Sequence, residues 1–333
     1  MNQVRFLIVR FSSIGDIVLT TPVVRMLKKQ VEGAEIHYLT KKRFSGLVRF
    51  NPYVDKVHEF DGDLKQTLQE LKKEQFDYVI DLHKNLRSAR VKSALGRVSF
   101  SFNKLNWKKW LYVRFKMNKM PDVHIVDRYL ETVKLFDIHN DEQGLDFFPN
   151  PDQKEEIQLD NSFNKGYFVA VLGANHATKQ IPEDKMVNWL NAFGKPVILI
   201  GGPDVVEASE KLASKVNIPV QNTCGKVSID GSALLIKNAR VVLTPDTGMM
   251  HIAAALKKPI VSVWGNTTPD LGMYPYMPSK RDFFYVAEVN NLSCRPCSKI
   301  GYEKCPKKHF NCMQQQDDEK IVSQLNYYWN LNE

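Results

Sequence analysis

Thr244-Pro245-Asp246-Thr247-Gly248-Met249-Met250-His251-Ile252-Ala253-Ala254-Ala255-Leu256 carries a strand pattern through a polar corner into a helix. The run before it, Ala239 to Leu243 (Ala-Arg-Val-Val-Leu), reads as a strand, whereas Met249 to Leu256 is made of strong helix formers. Asp246, Thr247 and Gly248 therefore stand at a strand-to-helix corner. There the first helical amides lack intrahelical acceptors and the helix dipole adds partial positive charge, so the corner suits a phosphate. Two other readings compete. Asp246 or Thr247 can simply cap a helix, or Asp-Thr-Gly can be half of an aspartic-protease dyad. The dyad fits poorly, because it needs two carboxylates sharing a proton and the chain has no second Asp-Thr-Gly or Asp-Ser-Gly.

The other end of the chain repeats the arrangement. Val4 to Phe11 is a compact apolar run, Ser12-Ser13-Ile14-Gly15-Asp16 a small-residue loop, and Ile17 to Gln30 a helical pattern. Asp16 thus lies at the carboxyl end of a first strand, where open α/β sheets bind ligands; a plain helix cap is the alternative. The loop has neither G-x-G-x-x-G nor a P-loop Gly-Lys-Ser/Thr. A length of 333 residues invites two domains. The stretch from Phe148 to Lys165 is rich in Pro, Asn and charge, as linkers are, and divides the chain into domains 1–155 and 156–333. Beyond it, strand candidates Tyr167 to Leu172, Pro196 to Ile200, Val241 to Leu243 and Pro259 to Trp264 alternate with helical stretches, which implies a mostly parallel sheet. Ile321 to Trp329 reads as a terminal helix.

Charge is concentrated. Eleven basic residues and no acid lie between Lys84 and Met120; without them the net +9 becomes −2. Such a stretch points to a polyanionic partner. Trp107, Trp110, Tyr112 and Phe115 are interleaved with it, a mixture that suits an anionic lipid surface or stacking on nucleic acid. No apolar run reaches the 18 residues a membrane span needs, and Arg5 and Arg10 bracket too few apolar residues for a signal peptide, so a cytoplasmic protein touching a membrane peripherally is expected. Cys294, Cys297, Cys305 and Cys312, with His309 among them, have spacing compatible with a structural zinc. Disulfides and free thiols are the alternatives. The cluster lies outside both half-sites and is not counted as catalytic.

Taken together, these segments resemble glycosyltransferase family 9, which contains the ADP-heptose:lipopolysaccharide heptosyltransferases. The resemblance rests on Arg10 to Pro22, Asp81 to Ser88, His124 to Tyr129, Gly201 to Asp204, Asp246 to Leu256 and Trp264 to Pro269, in family order. It implies a GT-B fold, two Rossmann-like domains facing each other across a cleft, with an N-terminal acceptor domain, a C-terminal nucleotide-sugar domain and the terminal helix returning toward the first. The implied activity is inverting transfer of a heptose or related sugar from an ADP-activated donor to a lipid A–linked core acceptor, with no metal or other cofactor required.

The resemblance also implies roles. Asp16 would be the general base, and Gly15 beside it a donor-binding residue. Lys179 matches the family's diphosphate lysine, with Thr178 beside it as a further donor contact, although Ile181 stands where the family has Trp and the loop is shorter. Amides of Thr247, Gly248 and Met249, with Asp246 and His251, would face the same charge. Asp204 or Glu207 would hold the ribose, and the stretch from Cys224 to Val227 would line the adenine. Lys84, Arg87 and Arg90 are the acceptor-phosphate candidates, and the anionic inner-membrane surface is the expected docking partner rather than nucleic acid. Two other classes stay open: a nucleic-acid-binding protein using residues 84–120, and a non-catalytic relative that binds nucleotide sugar without transferring it.

Overall fold

The protein is described here by a computed structural model covering residues 3–153 and 159–331. The expected domain boundary at 155/156 falls outside the described residues. The chain forms two compact units, one of Met1–Lys104 with Val123–Pro151, the other of Leu105–Asp122 with Asp152–Glu333.

The first unit is a five-stranded parallel sheet in the order β3-β2-β1-β4-β5. Its strands are β1 (Val4–Val9), β2 (Ala34–Lys41), β3 (Lys56–Phe60), β4 (Tyr78–Asp81) and β5 (Val98–Ser101). Phe6 to Val9 are wholly buried, as a central parallel strand covered on both faces requires. Because β1 is flanked by β2 and β4, the strand order reverses beside it, and the carboxyl ends of β1 and β4 form the crevice where such sheets bind ligands. The helical pattern expected from Ile17 to Gln30 is two helices, Ile14–Val18 and Thr21–Gln30. Thr20 turns back on the first helix, its hydroxyl donating to the Ile17 carbonyl at 2.7 Å, and Pro22 opens the second.

The second unit is a six-stranded parallel sheet in the order β11-β10-β9-β6-β7-β8. Here β6 is Phe168–Val171, β7 Val197–Ile200, β8 Val220–Asn222, β9 Val242–Pro245, β10 Ile260–Trp264 and β11 Phe284–Glu288. The reversal lies between β6 and β9, so their carboxyl ends make this sheet's crevice. The helix Glu183–Phe193 begins with two acids in its first turn and ends on Gly194 at φ 68°, a left-handed stop that costs glycine little. It packs against the terminal helix Asp318–Asn330, with Trp189 Nε1 donating to Asp318 at 2.7 Å.

The acid-free basic run is divided between the units. Lys84 to Lys104 belong to the first, and the helix Asn106–Phe115 to the second. Long-range bonds explain the second assignment: the Tyr112 hydroxyl donates to Asp270 at 2.5 Å, and Lys116 Nζ donates to the carbonyls of Cys294 and Pro296 at 3.1 and 2.6 Å.

Candidate active site

At the first crevice, β1 is followed by Arg10 and leads to Asp16 in the first turn of the Ile14–Val18 helix, where Gly15 is buried. Asp16 is held from two sides. Arg10 Nη2 lies 2.7 Å from Oδ1, while the Ser13 hydroxyl donates to Oδ2 at 2.8 Å. Arg10 is itself buried, donating to the carbonyl oxygens of Ser12 and Leu82 at 2.8 and 2.5 Å and to the Tyr129 hydroxyl at 3.1 Å. Burial works against its charge, but Asp16 and its other partners more than offset that and raise its pKa above the ordinary guanidinium value. The result is a fixed, partly accessible carboxylate, 23% exposed, at the mouth of the crevice.

The loop after β4 closes the other side. Buried Asp81 accepts the amides of His83 and Lys84 at 3.0 and 2.7 Å and the Ser88 hydroxyl at 2.9 Å, and pairs with Lys92 at 3.1 Å. That network fixes the loop and starts the helix Leu86–Leu95, which Asn85 and Ser88 cap reciprocally. Lys84 and Arg90 are exposed, whereas Arg87 lies over the rings of Phe11 and Phe60 at 5.2 and 4.6 Å. Of the basic run, then, Lys92 is spent on Asp81, and Arg87 is held by rings at the carboxyl ends of β1 and β3.

Three residues of this crevice were not singled out from the sequence. They are Arg10, His83 and Lys104. Burial, then the charges of Arg10 and Lys104, push His83 down to about 4, leaving a neutral imidazole whose Nδ1 has no hydrogen-bond partner. Lys104 is lowered too, by burial first and by Arg10 second. Arg10 opens the first of the motifs the resemblance rests on, a cation closing an apolar run six residues before an acid.

In the second unit, Lys179 and Asp246 come together at the β6 and β9 ends, Nζ to Oδ2, at 2.6 Å. Asp246 Oδ2 also accepts the Thr267 hydroxyl at 2.9 Å. Thr247 is the N-cap residue of the helix Gly248–Ala255, yet its side chain makes no capping hydrogen bond. The first amides, including those of Gly248 and Met249, therefore keep no side-chain acceptor from their own cap, the condition under which a helix start receives an anion. His251 is buried in that helix.

Thr178 faces elsewhere. Its hydroxyl donates to the Tyr302 carbonyl at 2.9 Å and accepts the Tyr302 amide at 2.8 Å, pinning the Lys179 loop to the cysteine-rich segment. That segment is tied to the β10 end as well, through Arg295 Nε to the Gly265 carbonyl at 2.7 Å and the Cys297 amide to the Asn266 carbonyl at 3.0 Å. All five cysteines are free thiols. Burial raises Cys297 to about 11 and Cys312 to about 12, so both are protonated and poor nucleophiles at neutral pH. Asp204 and Glu207 are exposed after β7, and Val227 is half-buried after β8. Cys224 instead points into the core, packed beside Gly201, where a side chain would clash with Val205.

The family model for glycosyltransferase family 9 (heptosyltransferase) matches residues 65–303. A lipopolysaccharide heptosyltransferase 1 from Campylobacter coli is 26% identical, covering 96% of this chain and 98% of that protein. Among solved structures, a glycosyl transferase of family 9 from Veillonella parvula superposes with a TM-score of 0.76 at 18% identity, over 99% of this chain and 98% of its own. An E. coli heptosyltransferase solved with ADP-2-deoxy-2-fluoro heptose gives 0.64 at 20% identity, over 99% and 100%. Two parallel Rossmann-like sheets, the GT-B fold, thus carry a chain that belongs to glycosyltransferase family 9 and is a glycosyltransferase.

Proposed function

We propose that the protein transfers a heptose from an ADP-activated donor to a lipopolysaccharide core or lipid A–linked acceptor with inversion at the anomeric carbon. The observation that carries this reading is the placing of one fixed carboxylate, Asp16, at the first sheet's switch point and one lysine-and-amide cradle at the second's. In the reaction, an acceptor hydroxyl attacks the anomeric carbon as its proton passes to Asp16, and the bond to the ADP oxygen breaks. Lys179 and the amides of Thr247, Gly248 and Met249 take the charge that develops on the diphosphate, each preorganised donor contributing about 3 kcal/mol. Asp204 or Glu207 holds the ribose, and Val227 borders the adenine. Lys84, Arg87 and Arg90 meet acceptor phosphates. No metal takes part in this scheme.

Product analysis tests it, using purified ADP-sugars and a panel of truncated lipopolysaccharide cores. Transfer of heptose from the ADP donor to a core acceptor is expected. Binding of ADP-heptose with no product on any acceptor would make the protein a non-catalytic relative.

The acceptor's lipid suggests where the protein works. No helix among the described residues is long and apolar enough to cross a membrane. The helix Asn106–Phe115 has no buried residue; Trp107 and Trp110 stack at 4.8 Å, exposed by 67% and 45%, with Lys108 and Lys109 between them. An aromatic pair flanking cations fits the headgroup layer of an anionic inner-membrane leaflet. At about 1 kcal/mol per lysine, replacing Lys108 and Lys109 with Glu, which removes two attractive charges and adds two repulsive ones, should weaken co-sedimentation with anionic vesicles by more than about 30-fold. Transfer to a delipidated core should stay nearly intact. Tight oligonucleotide binding at physiological salt without vesicle binding would instead favour the nucleic-acid reading.

A further inference from the structure

Where the helix Leu64–Lys73 ends against β2 and β3, the first sheet holds a buried cluster that sugar transfer does not use. His37 on β2 and His58 on β3 point to the same side, since Leu39 is the register partner of His58. Their ring nitrogens, His37 Nδ1 and His58 Nε2, are 2.9 Å apart. Glu74, which ends the helix Leu64–Lys73, brings its carboxylate over them, Oε2 lying 3.9 Å from His37 Nδ1. These three ligand atoms all lie within 4.8 Å of one another, the one such group of His, Cys, Asp and Glu among the described residues.

The surroundings set the chemistry of this group. His37 Nε2 is 2.8 Å from Glu35 Oε1, and a carboxylate only accepts, so Nε2 donates its proton there and Nδ1 is the nitrogen that faces the cluster. Glu35 is fixed in turn by Arg5 Nε at 2.7 Å. A carboxylate on the remote nitrogen is the arrangement that orients metal-binding histidines and raises their basicity. Lys56 Nζ holds the other oxygen of Glu74 at 2.5 Å, leaving Oε2 toward the rings. His58 is buried beside His37 and turns its Nε2 to the same point. Phe76 packs edge-on to both imidazoles and closes the cluster from the side.

We propose that His37, His58 and Glu74 form a structural site for a zinc-class divalent cation, with Glu35 as the residue that orients His37. Two imidazoles and one carboxylate are a borderline donor set that suits zinc, with a water completing a tetrahedron. Zinc–nitrogen bonds of about 2.0–2.1 Å put two ligand nitrogens roughly 3.3 Å apart, so the rings need to separate by only about half an ångström from their hydrogen-bonded spacing. His58 gives up its Nε2 proton and takes one at Nδ1, a tautomer change that releases no net proton. The ion then ties the sheet's edge strand β3 to β2 and to the end of the helix Leu64–Lys73.

The test uses tag-free full-length protein, stripped with chelator and titrated with zinc, with bound metal counted and Tm measured. Cobalt reports which ligands are used, because cysteine thiolates give an intense near-ultraviolet band and histidine with carboxylate does not. Wild type should bind one equivalent without thiolate absorption, with Tm raised by roughly 5–10 °C when zinc is a hundredfold above its Kd. His58→Gln, whose amide can still donate to His37, should lose that equivalent and that rise. Glu35→Gln should keep the site but weaken it at least tenfold. Equal binding and equal Tm rise in wild type and His58→Gln, or cobalt bound by thiolates alone, would overturn the proposal and leave a hydrogen-bonded histidine pair.

Discussion

Asp16→Asn is expected to lower turnover by roughly 10²- to 10⁴-fold, the usual worth of general base catalysis, while ADP affinity stays nearly unchanged. Asparagine has the shape of the carboxylate; its oxygen can stay on Arg10 while its NH2 donates to the Ser13 hydroxyl, so the loop keeps most of its geometry. Arg10 also retains its carbonyl partners at Ser12 and Leu82 and the hydroxyl of Tyr129. What the variant loses is a group that can take a proton from the acceptor hydroxyl. The check is kcat and KM for both substrates, ADP binding by calorimetry, and a pH–rate profile. In the wild type, kcat/KM should fall as pH drops through the pKa of the base; in the variant that acidic limb should vanish. A variant that keeps a third of wild-type turnover would remove Asp16 from the mechanism.

How much of this was legible in the sequence depended on how local each signal is. The corner from Thr244 to Leu256 and the loop that ends at Asp16 could be read because strand, turn and helix follow one another within a dozen residues. The network around Asp16 could not. Arg10 reaches Tyr129 across 119 positions, and Lys104 joins it from the end of another strand, so no spacing rule connects them. The basic run was visible as charge, yet its division between the two units depends on bonds such as Lys116 to Pro296, 180 residues away. Thr178 shows the same limit. It reads as a donor contact beside Lys179, but its hydroxyl is committed to the backbone of Tyr302. Short strands were the other loss: Val220–Asn222 has three residues, too few for an alternation to be seen, and is a strand because β7 pairs with it.

Lys179→Ala should weaken ADP by roughly 10- to 150-fold, the equivalent of about 1.5 to 3 kcal/mol for hydrogen bonds to charged groups. The geometry argues for the upper part of that range. In the free protein Lys179 neutralises Asp246, which among the described residues otherwise meets the Thr267 hydroxyl on the same oxygen. Removing the lysine therefore subtracts a cation from the diphosphate and also leaves an uncompensated carboxylate at the end of β9 next to it. The two contributions separate in a double variant. If Asp246 repels the diphosphate once unpaired, Lys179→Ala with Asp246→Asn should bind ADP more tightly than Lys179→Ala alone, a non-additivity expected of residues in direct contact. Added Mg²⁺ should not restore the single variant or raise the wild-type rate, because the charge on the leaving group is met by lysine and amides. An ADP affinity unchanged in Lys179→Ala, or a wild-type rate that requires Mg²⁺, would move stabilisation of the leaving diphosphate to a metal ion and away from this pair.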